Sequence, residues 1–327
     1  MKVLGLNFGR TMQNSELSLK AALMGAEAAG AEVSFIRMMG LDLKPCTGCG
    51  GCSSSMRKGG NSTCILKDDY AFVENAILDC DALIVSAPVY VLGPTGQLKC
   101  VADRFGPAHD IASFLTENQK RIAAGKTGDE LLDPRYFKPR YGGLISVGGA
   151  FTPHWVSMGL AGMELLMFPH QIRVVDQIDA YAMGTRVNPV LDDAFIARCE
   201  KLGANVVSMH GKPFSETGKV WFGDDAGICP VCHNRDITIR YGTTTVECPL
   251  CGITGTLVVE GDKVRVDFPE EQQVHSRLRL QGLYDHQEEF AIMGPIQKKI
   301  IAARGSEIPG LLQKYKDYDR LIKPSRA

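Results

Sequence analysis

The stretch KVLGLNFGRTMQNSELSLKAALMGAEAAG, residues 2–30, carries the fold signal from which the rest of the chain is interpreted. Its first part, Lys2–Phe8, is a short apolar run of the kind that forms a central parallel strand buried on both faces. Apolar residues then recur near helical spacing, at Leu17, Ala21, Leu23 and Ala26. Asn14 and Ser15 precede them and are good helix caps, so a strand, a polar loop and a capped helix are predicted.

This strand, loop and helix also predict a binding site for a phosphate group. Free backbone N–H groups and the positive end of the helix dipole meet at the start of such a helix. Arg10, in the loop, would add a charge-assisted contact. An ordinary strand–helix turn is the alternative. No GxGxxG follows the strand, so the dinucleotide fingerprint is absent.

The rest of residues 1–218 continues the alternation of strands and helices. Further strands are predicted at Glu32–Met38, Ala82–Ala87, Gly142–Val147 and Ile172–Ile178. Helices are predicted from Asp68 to Asp79 and at Gln97–Phe105, Trp155–Met167 and Leu191–His210. Five strands in this alternation predict an α/β fold with a doubly wound parallel sheet. Residues 106–141 lack a long periodic run and are interpreted as an insertion, with one short helix near Ile111–Ile122, that acts as a lid or an oligomer contact.

A flavodoxin-like strand order, 2-1-3-4-5, would bring the loops after strands 1, 3 and 4 to one ligand site. The loop that begins at Pro88 has exposed amides and Tyr90, which suit the polar edge of a flat ring. Gly148 and Gly149 lack side chains and allow close approach of a ligand. Tyr90 and His154 are the candidate proton donors. The alternatives are a tyrosine that packs on its loop and a histidine that caps the next helix.

Four cysteines in residues 44–67 predict a metal centre. Cys46, Cys49 and Cys52 lie two residues apart with glycines between them, and Cys64 follows after eleven more residues. This spacing favours an iron–sulfur cluster of the [4Fe–4S] type over pairwise disulfides. A single zinc ion, or a loop that binds nothing, is the alternative. The loop should leave strand 2 about 10 Å from the ring site, because strands lie about 4.8 Å apart.

Residues 219–268 contain two CxxC knuckles in a β-rich segment and predict a small zinc ribbon. Their cysteines are Cys229, Cys232, Cys248 and Cys251. Four thiolates at this spacing bind a tetrahedral metal, either Zn²⁺ or the iron of a rubredoxin-like site. The segment has five basic and seven acidic side chains, a balance that disfavours nucleic acid as a partner.

Composition supports a cytoplasmic globular protein. The chain of 327 residues has 45% apolar residues and a formal net charge of −1, which offers no general attraction for nucleic acid or an anionic membrane. No signal peptide or membrane span is predicted. Clustered cysteines fit metal ligation in a reducing compartment better than a disulfide framework. Residues 269–327 are predicted as a helical tail that packs on the first domain or on a second subunit.

Four loops together resemble the NADPH-dependent FMN reductase superfamily, and within it the iron–sulfur flavoproteins. They are NFGRTMQNS, PCTGCGGC with ILKDD, APVYVLGPTGQLKCVADRF and the GG of ISVGGA. The resemblance covers about residues 1–215. The superfamily's usual serine early in the first loop is Phe8 here, the gap before Cys64 is longer, and the ribbon and tail are additions.

The resemblance implies FMN, a four-iron cluster on Cys46, Cys49, Cys52 and Cys64, and a homodimer or homotetramer with flavins near subunit interfaces. The residues implied at the FMN phosphate are Arg10, Gln13, Asn14 and Ser15. Those implied along the ring are Pro88, Val89, Tyr90, Val91, Leu92 and Gly93, with Gly148 and Gly149 on the far side.

These observations predict an FMN-dependent oxidoreductase that reduces a small electron-poor molecule such as a quinone or a nitroaromatic. Electrons would come from NAD(P)H or from a ferredoxin-type donor through the cluster, and the cofactors would supply the chemistry. One alternative is an electron carrier without a substrate pocket. Another is a redox-sensing regulator that acts through the ribbon.

Overall fold

The computed structural model describes residues 1–213, 219–318 and 320–322. Residues 214–218 and 323–327, which end two of the predicted domains, lie outside the described residues, as does residue 319. The chain forms two units, Met1–Leu283 and a second that begins at Tyr284. The predicted domain boundaries after residues 218 and 268 stay predictions.

The first unit is built on the predicted parallel sheet. Its strands are β1 (Lys2–Asn7), β2 (Glu32–Arg37), β3 (Ala82–Tyr90), β4 (Gly93–Pro94), β5 (Arg140–Val147) and β6 (Ile172–Ala180). Five of them pair in parallel in the order β2-β1-β3-β5-β6, and the two-residue β4 pairs antiparallel with the end of β3. The predicted flavodoxin-like order is therefore confirmed.

Helices cover both faces of this sheet. They are α1 (Asn14–Ala28), α2 (Gly51–Arg57), α3 (Tyr70–Asp79), α4 (Gly96–Ala102), α5 (Ile111–Ala123), α6 (Gly159–Met167) and α7 (Asp193–Val207). Apolar side chains of α1 and α7 form the core on one face, and those of α3, α4 and α6 form the core on the other. Helices α1 and α7 approach closely at Gly203. A Cβ there would lie 1.8 Å from the carbonyl oxygen of Ala22, so the approach requires glycine.

The strand register brings three loops to one edge of the sheet. Asn7, the last residue of β1, pairs with Ser86 of β3, and Phe8 donates its amide to the Ser86 carbonyl at 2.9 Å. Pro88 of β3 pairs with Val147, the last residue of β5. Carboxyl ends of parallel strands share an edge, so the loops that follow β1, β3 and β5 are neighbours there.

The insertion after α4 has its own aromatic core and supports the cysteine loop. Phe114 of α5 lies 5.3 Å from the Phe105 ring and stacks on Tyr136 at 4.3 Å between ring centroids. Arg121 donates to the carbonyl of Gly60 at 2.7 Å. The predicted short helix is confirmed as α5, and its buried face includes Ile111, Phe114 and Arg121.

The cysteine-knuckle segment forms a second, antiparallel sheet. Its strands are β7 (Thr238–Ile239), β8 (Thr245–Glu247), β9 (Thr254–Glu260) and β10 (Lys263–Asp267), in the order β10-β9-β8-β7. We call residues 219–268 the four-cysteine module. The helices that follow are α8 (Glu270–Val274), α9 (Leu280–Arg304) and α10 (Ile308–Asp317). None of the described helices is long and apolar enough to cross a membrane.

Candidate active site and metal centres

The loop between β1 and α1 presents an open helix start, as an anion site requires. Helix α1 begins at Asn14, and Gln13 occupies the N-cap position without a capping hydrogen bond from its side chain. Asn14 and Ser15, predicted as caps, instead form the first turn. A Cβ on Gly9 would lie 2.6 Å from Ser15 Cβ, so glycine is required there. The first-turn amides are therefore available to a phosphate.

Behind this loop lies a charged network that sequence reasoning missed. The Glu16 side chain is fully buried and accepts hydrogen bonds from Arg37 Nε and Nη2 at 2.8 and 2.9 Å. Lys20 Nζ lies 2.9 Å from the same carboxylate. Hydrogen bonding to Arg37, with help from Lys20, lowers the pKa of Glu16 to about 2. Asn7 links Glu16 to the loop, since its amide donates to the carboxylate at 3.2 Å and to the Gly9 carbonyl at 3.1 Å.

Replacing Glu16 by glutamine should destabilise the protein by about 2–3 kcal/mol at pH 7. The folded-state pKa is depressed, so the contribution of Glu16 is present above its unfolded value of about 4.5 and is lost as pH falls toward 2. The difference between the variant and the parent should therefore fall to less than half by pH 3 and vanish below about pH 2. Urea unfolding at pH 7 and pH 3 checks this, and an equal difference at both pH values would contradict it.

The loop that follows β3 is a tight hairpin with a strained turn. Val91 and Leu92, between β3 and β4, have φ of 51° and 71°. Two central residues with positive φ are the requirement of a type I′ turn, which usually takes Asn-Gly. Val91 is 98% exposed and Tyr90 is 53% exposed. Backbone strain of this kind clusters at binding sites, where it fixes exposed groups toward a ligand.

The loop that follows β5 places the two predicted glycines differently. A Cβ on Gly148 would lie 2.0 Å from Val156 Cγ1, so this glycine is needed for packing. A Cβ on Gly149 would meet no described atom within 4 Å, so this face is open to a ligand. His154 follows in the same loop, where it is exposed and its Nε2 lies 3.2 Å from the Thr152 hydroxyl.

Two hydroxyl groups near this sheet edge are buried without a hydrogen bond of good geometry among the described residues. They belong to Ser86 and Thr95. Leaving a buried hydroxyl unpaired costs about 1–3 kcal/mol, so such groups usually have a ligand or water as partner. Together with the open start of α1, they fit a large polar cofactor at this edge.

The four cysteines of residues 44–67 line one cavity of about 220 Å³. Cys46 and Cys49 are exposed, whereas Cys52 and Cys64 are half-buried. A hydrogen bond from the Gly51 amide lowers the pKa of Cys49 and so favours its thiolate form. The gap before Cys64 folds back through α2, a helix that the sequence did not predict. The donor set and the space fit a cluster of several atoms better than a single ion.

A buried ion pair between Arg104 and Asp68 stabilises the cysteine loop around this cavity. Arg104 follows α4, its side chain is almost completely buried, and its Nη2 donates to Asp68 at 2.9 Å and to the Cys64 sulfur at 3.4 Å. The guanidinium also lies 4.2 Å from the Tyr70 ring centroid. Asp68 accepts from the Lys44 amide at 2.8 Å, so it ties the start of the cysteine loop to its end. Sequence reasoning did not identify this pair.

The four cysteines of the C-terminal module form a closed metal site. Their sulfurs lie within 4.8 Å of one another, and all four residues are buried. Cys229 and Cys251 are 3.6 Å apart between sulfurs, and Cys232 and Cys248 are 3.5 Å apart. Ligands about 2.3 Å from a tetrahedral ion would be separated by about 3.8 Å. The predicted four-thiolate metal site is therefore confirmed, and its metal can be zinc or iron.

A further cavity of about 270 Å³ lies between the parallel sheet and the four-cysteine module. His154 lies in its wall, as do α6 and the end of β6. Glu164 of α6 lines it too, and burial, with negative charge on the nearby Cys229 and Cys248 sulfurs, raises the pKa of this carboxyl group to about 8. Sequence reasoning did not predict this cavity.

Comparisons with known proteins agree with this geometry. The family model described as NADPH-dependent FMN reductase matches residues 1–158. A flavone synthase, cfoJ of Aspergillus candidus, is 32% identical over 292 residues, which are 88% of this chain and 87% of that protein. An iron–sulfur flavoprotein of Archaeoglobus fulgidus is 35% identical over 108 residues, which are 33% of this chain and 46% of that protein.

A solved structure shares the whole architecture. It is a flavone reductase with a TM-score of 0.80 and 27% sequence identity, and the superposition covers 99% of this chain and 100% of that one. The similarity therefore includes the four-cysteine module as well as the parallel sheet.

Proposed function

The chain belongs to the NADPH-dependent FMN reductase family, and we propose from this premise that it reduces a flat, electron-poor aromatic compound with a conjugated carbonyl, such as a flavone or a quinone. The observation that carries the proposal is that the loops after β1, β3 and β5 meet at one edge of the sheet, with groups open to a ligand. The full-length similarity to a flavone reductase supports the substrate class. A cavity beside His154 also favours an enzyme over a carrier without a substrate pocket.

FMN would be held by the groups that this edge leaves open. The phosphate would bind the first-turn amides of α1 and Arg10, with Gln13, Asn14 and Ser15 around it. The ring would lie against the Pro88–Gly93 hairpin, with Gly149 and the packed Gly148 on the other side. FMN supplies hydride and electron transfer when it is bound.

Reduction of a conjugated carbon–carbon double bond adds a hydride to one carbon and a proton to the other. The two electrons come from one NAD(P)H, and the proton comes from a side chain or water. His154 and Tyr90 are the proposed proton donors, because both are exposed beside the proposed ring site. Thr152 orients the His154 ring through the 3.2 Å contact to Nε2.

Cys46, Cys49, Cys52 and Cys64 would hold a [4Fe–4S] cluster, which supplies one-electron steps when it is bound. Arg104 would neutralise part of the thiolate charge through its contact to Cys64. A ferredoxin-type protein is then a second electron donor besides NAD(P)H. In the C-terminal module, we propose zinc rather than iron as the resident metal.

We also propose that the protein is a homodimer or homotetramer. Helix α9 exposes a series of apolar side chains, namely Phe290, Ile292, Met293, Ile296, Ile300 and Ile301. Its first half carries Glu288 and Glu289 and its second half Lys298 and Lys299, so antiparallel pairing of two copies would join opposite charges. Light scattering at micromolar concentration should give at least twice the chain mass, and a monomer would refute this.

Anaerobic turnover tests the function directly. Protein loaded with FMN should oxidise NADH or NADPH in the presence of flavone and form a product heavier by two hydrogen atoms. The Arg10→Met variant should bind FMN more weakly, whereas Arg240→Met, an exposed arginine of the four-cysteine module, should not. The proposal is wrong if neither NADH, NADPH nor a reduced viologen supports product formation.

A further inference from the structure

The cavity of about 270 Å³ between the parallel sheet and the four-cysteine module has the construction of a ligand site. One side comes from α6, through Leu160, and from the end of β6, through Asp179. The other side comes from the four-cysteine module, through Trp221, His233 and Leu250. Concave sites that join apolar walls to a few polar groups are the usual form of small-molecule pockets.

The module side of the cavity is flat and held in place. Trp221 and His233 stack with their ring centroids 3.7 Å apart and their planes 13° from parallel. The Trp221 indole donates to the Asp225 carbonyl at 2.7 Å, and His233 Nδ1 lies 2.8 Å from the Ala226 carbonyl oxygen. Both rings are therefore fixed before any ligand arrives. A fixed aromatic wall of this kind suits a flat aromatic ligand.

The sheet side offers one buried hydrogen-bond acceptor. Asp179 Oδ1 is buried and lies beside the Ser146 hydroxyl, its neighbour on strand β5, without a hydrogen bond of good geometry. Burial raises the pKa of Asp179, and the contact with Ser146 only partly opposes this, so the carboxylate would gain from a further donor. A phenolic hydroxyl on a ligand supplies such a donor.

The charges around the cavity exclude a phosphate-bearing ligand. Asp179, Asp225 and Asp236 all line it. Arg235 also lines it, but its guanidinium pairs with Asp225 at 2.6 Å and is not left to bind an anion. A nicotinamide dinucleotide, with its phosphates, therefore fits this cavity poorly, whereas an uncharged phenol fits well.

We propose that this cavity binds the hydroxylated aryl group of the substrate, with Trp221 against the ring and Asp179 accepting from the hydroxyl. The inference rests on the proposed function in one respect, that the aryl compound is the molecule reduced. His154 lies in the cavity wall five residues after Gly149, so the bound aryl group adjoins the loop that would contact FMN. The four-cysteine module thus has a role in recognition, because its metal site holds one wall of the pocket.

Calorimetric titration with 7-hydroxyflavone and with flavone, which lacks the hydroxyl, tests this on the full chain with FMN and without it. Trp221→Leu should weaken binding of both compounds about tenfold. Asp179→Asn should weaken 7-hydroxyflavone binding about tenfold and leave flavone binding unchanged, since a neutral amide oxygen accepts from the hydroxyl more weakly than a carboxylate does and flavone has no hydroxyl. Matched exposed positions in the module, Tyr241→Leu and Asp262→Asn, should bind both compounds as the parent does.

Unchanged affinity for both compounds in both cavity variants, or no binding by the parent, would overturn the proposal. Metal content and thermal unfolding show whether Trp221→Leu folds. If it does not fold, the binding data for Asp179→Asn test the proposal. The binding test of the pocket and the turnover test of the proposed function can fail independently. Turnover of flavone with unaffected cavity variants would refute the pocket alone, whereas weakened binding without any turnover would refute the reductase alone.

Discussion

Replacing Cys248 by serine is expected to remove the metal from the C-terminal site and to unfold the four-cysteine module. The four sulfurs occupy the centre of the module's core, among Val246, Leu250, Ile253 and Phe268. Structural zinc contributes about 10–16 kcal/mol of binding free energy in small thiolate modules, and most of it depends on a complete ligand set. We expect less than about a tenth of the parent's metal per chain and rapid proteolysis within residues 219–268.

The matched control is Cys100→Ser, because Cys100 is half-buried and lies in α4 outside both cysteine sets. It should keep the metal and the protease resistance of the parent. Elemental analysis and limited proteolysis of the three proteins check the prediction. A Cys248→Ser protein with full metal content and an intact module would show that the site is not what organises this part of the chain.

Replacing Asp68 by asparagine should destabilise the protein by about 3–5 kcal/mol, because the Arg104 guanidinium would remain buried without its counter-ion. Both side chains are at most 1% exposed. Hydrogen bonds from Arg104 and from the Lys44 and Tyr70 amides hold the pKa of Asp68 below its usual range, although burial acts in the opposite direction. The same change should loosen the cysteine loop and lower iron retention.

Asp103→Asn is the control for this experiment. Asp103 also lines the cysteine cavity, but it pairs with Lys99 near the surface, where an ion pair contributes about 0.5 kcal/mol or less. Chemical unfolding should therefore show that Asp68→Asn loses several times more free energy of unfolding than Asp103→Asn does. Equal effects would mean that the buried pair adds nothing beyond an ordinary surface contact.

The parallel sheet could be predicted from sequence because its central strands, β1 and β3, contain continuous apolar runs that alternate with segments of helical apolar spacing. All five predicted strands are present, with ends within three residues of the structure. Helix α2 was missed because GCSSSMR combines glycine and serines that favour turns, and its position depends on the cysteine loop folding back. The cap of α1 was misplaced by one residue or more, since the helix begins at Asn14 itself.

The four metal ligands of the C-terminal module were also predictable, because ligand spacing is a local property of the chain. The ion pairs Glu16–Arg37 and Asp68–Arg104 were not, since each joins residues on different elements that only the folded sheet brings together. The cavity beside the four-cysteine module could not be predicted for the same reason. Its walls come from β6, α6 and the module, and no short stretch of sequence contains them.

The central claim is that an FMN site and an iron–sulfur site share one side of this sheet. Anaerobic purification of the parent and of Cys49→Ser, with counts of FMN, iron and acid-labile sulfide, tests it most directly. The parent should hold about one FMN and about four iron atoms per chain beyond the metal of the C-terminal site, and Cys49→Ser should lose this iron while it keeps FMN. A parent without flavin, or a variant with unchanged iron, would contradict the claim.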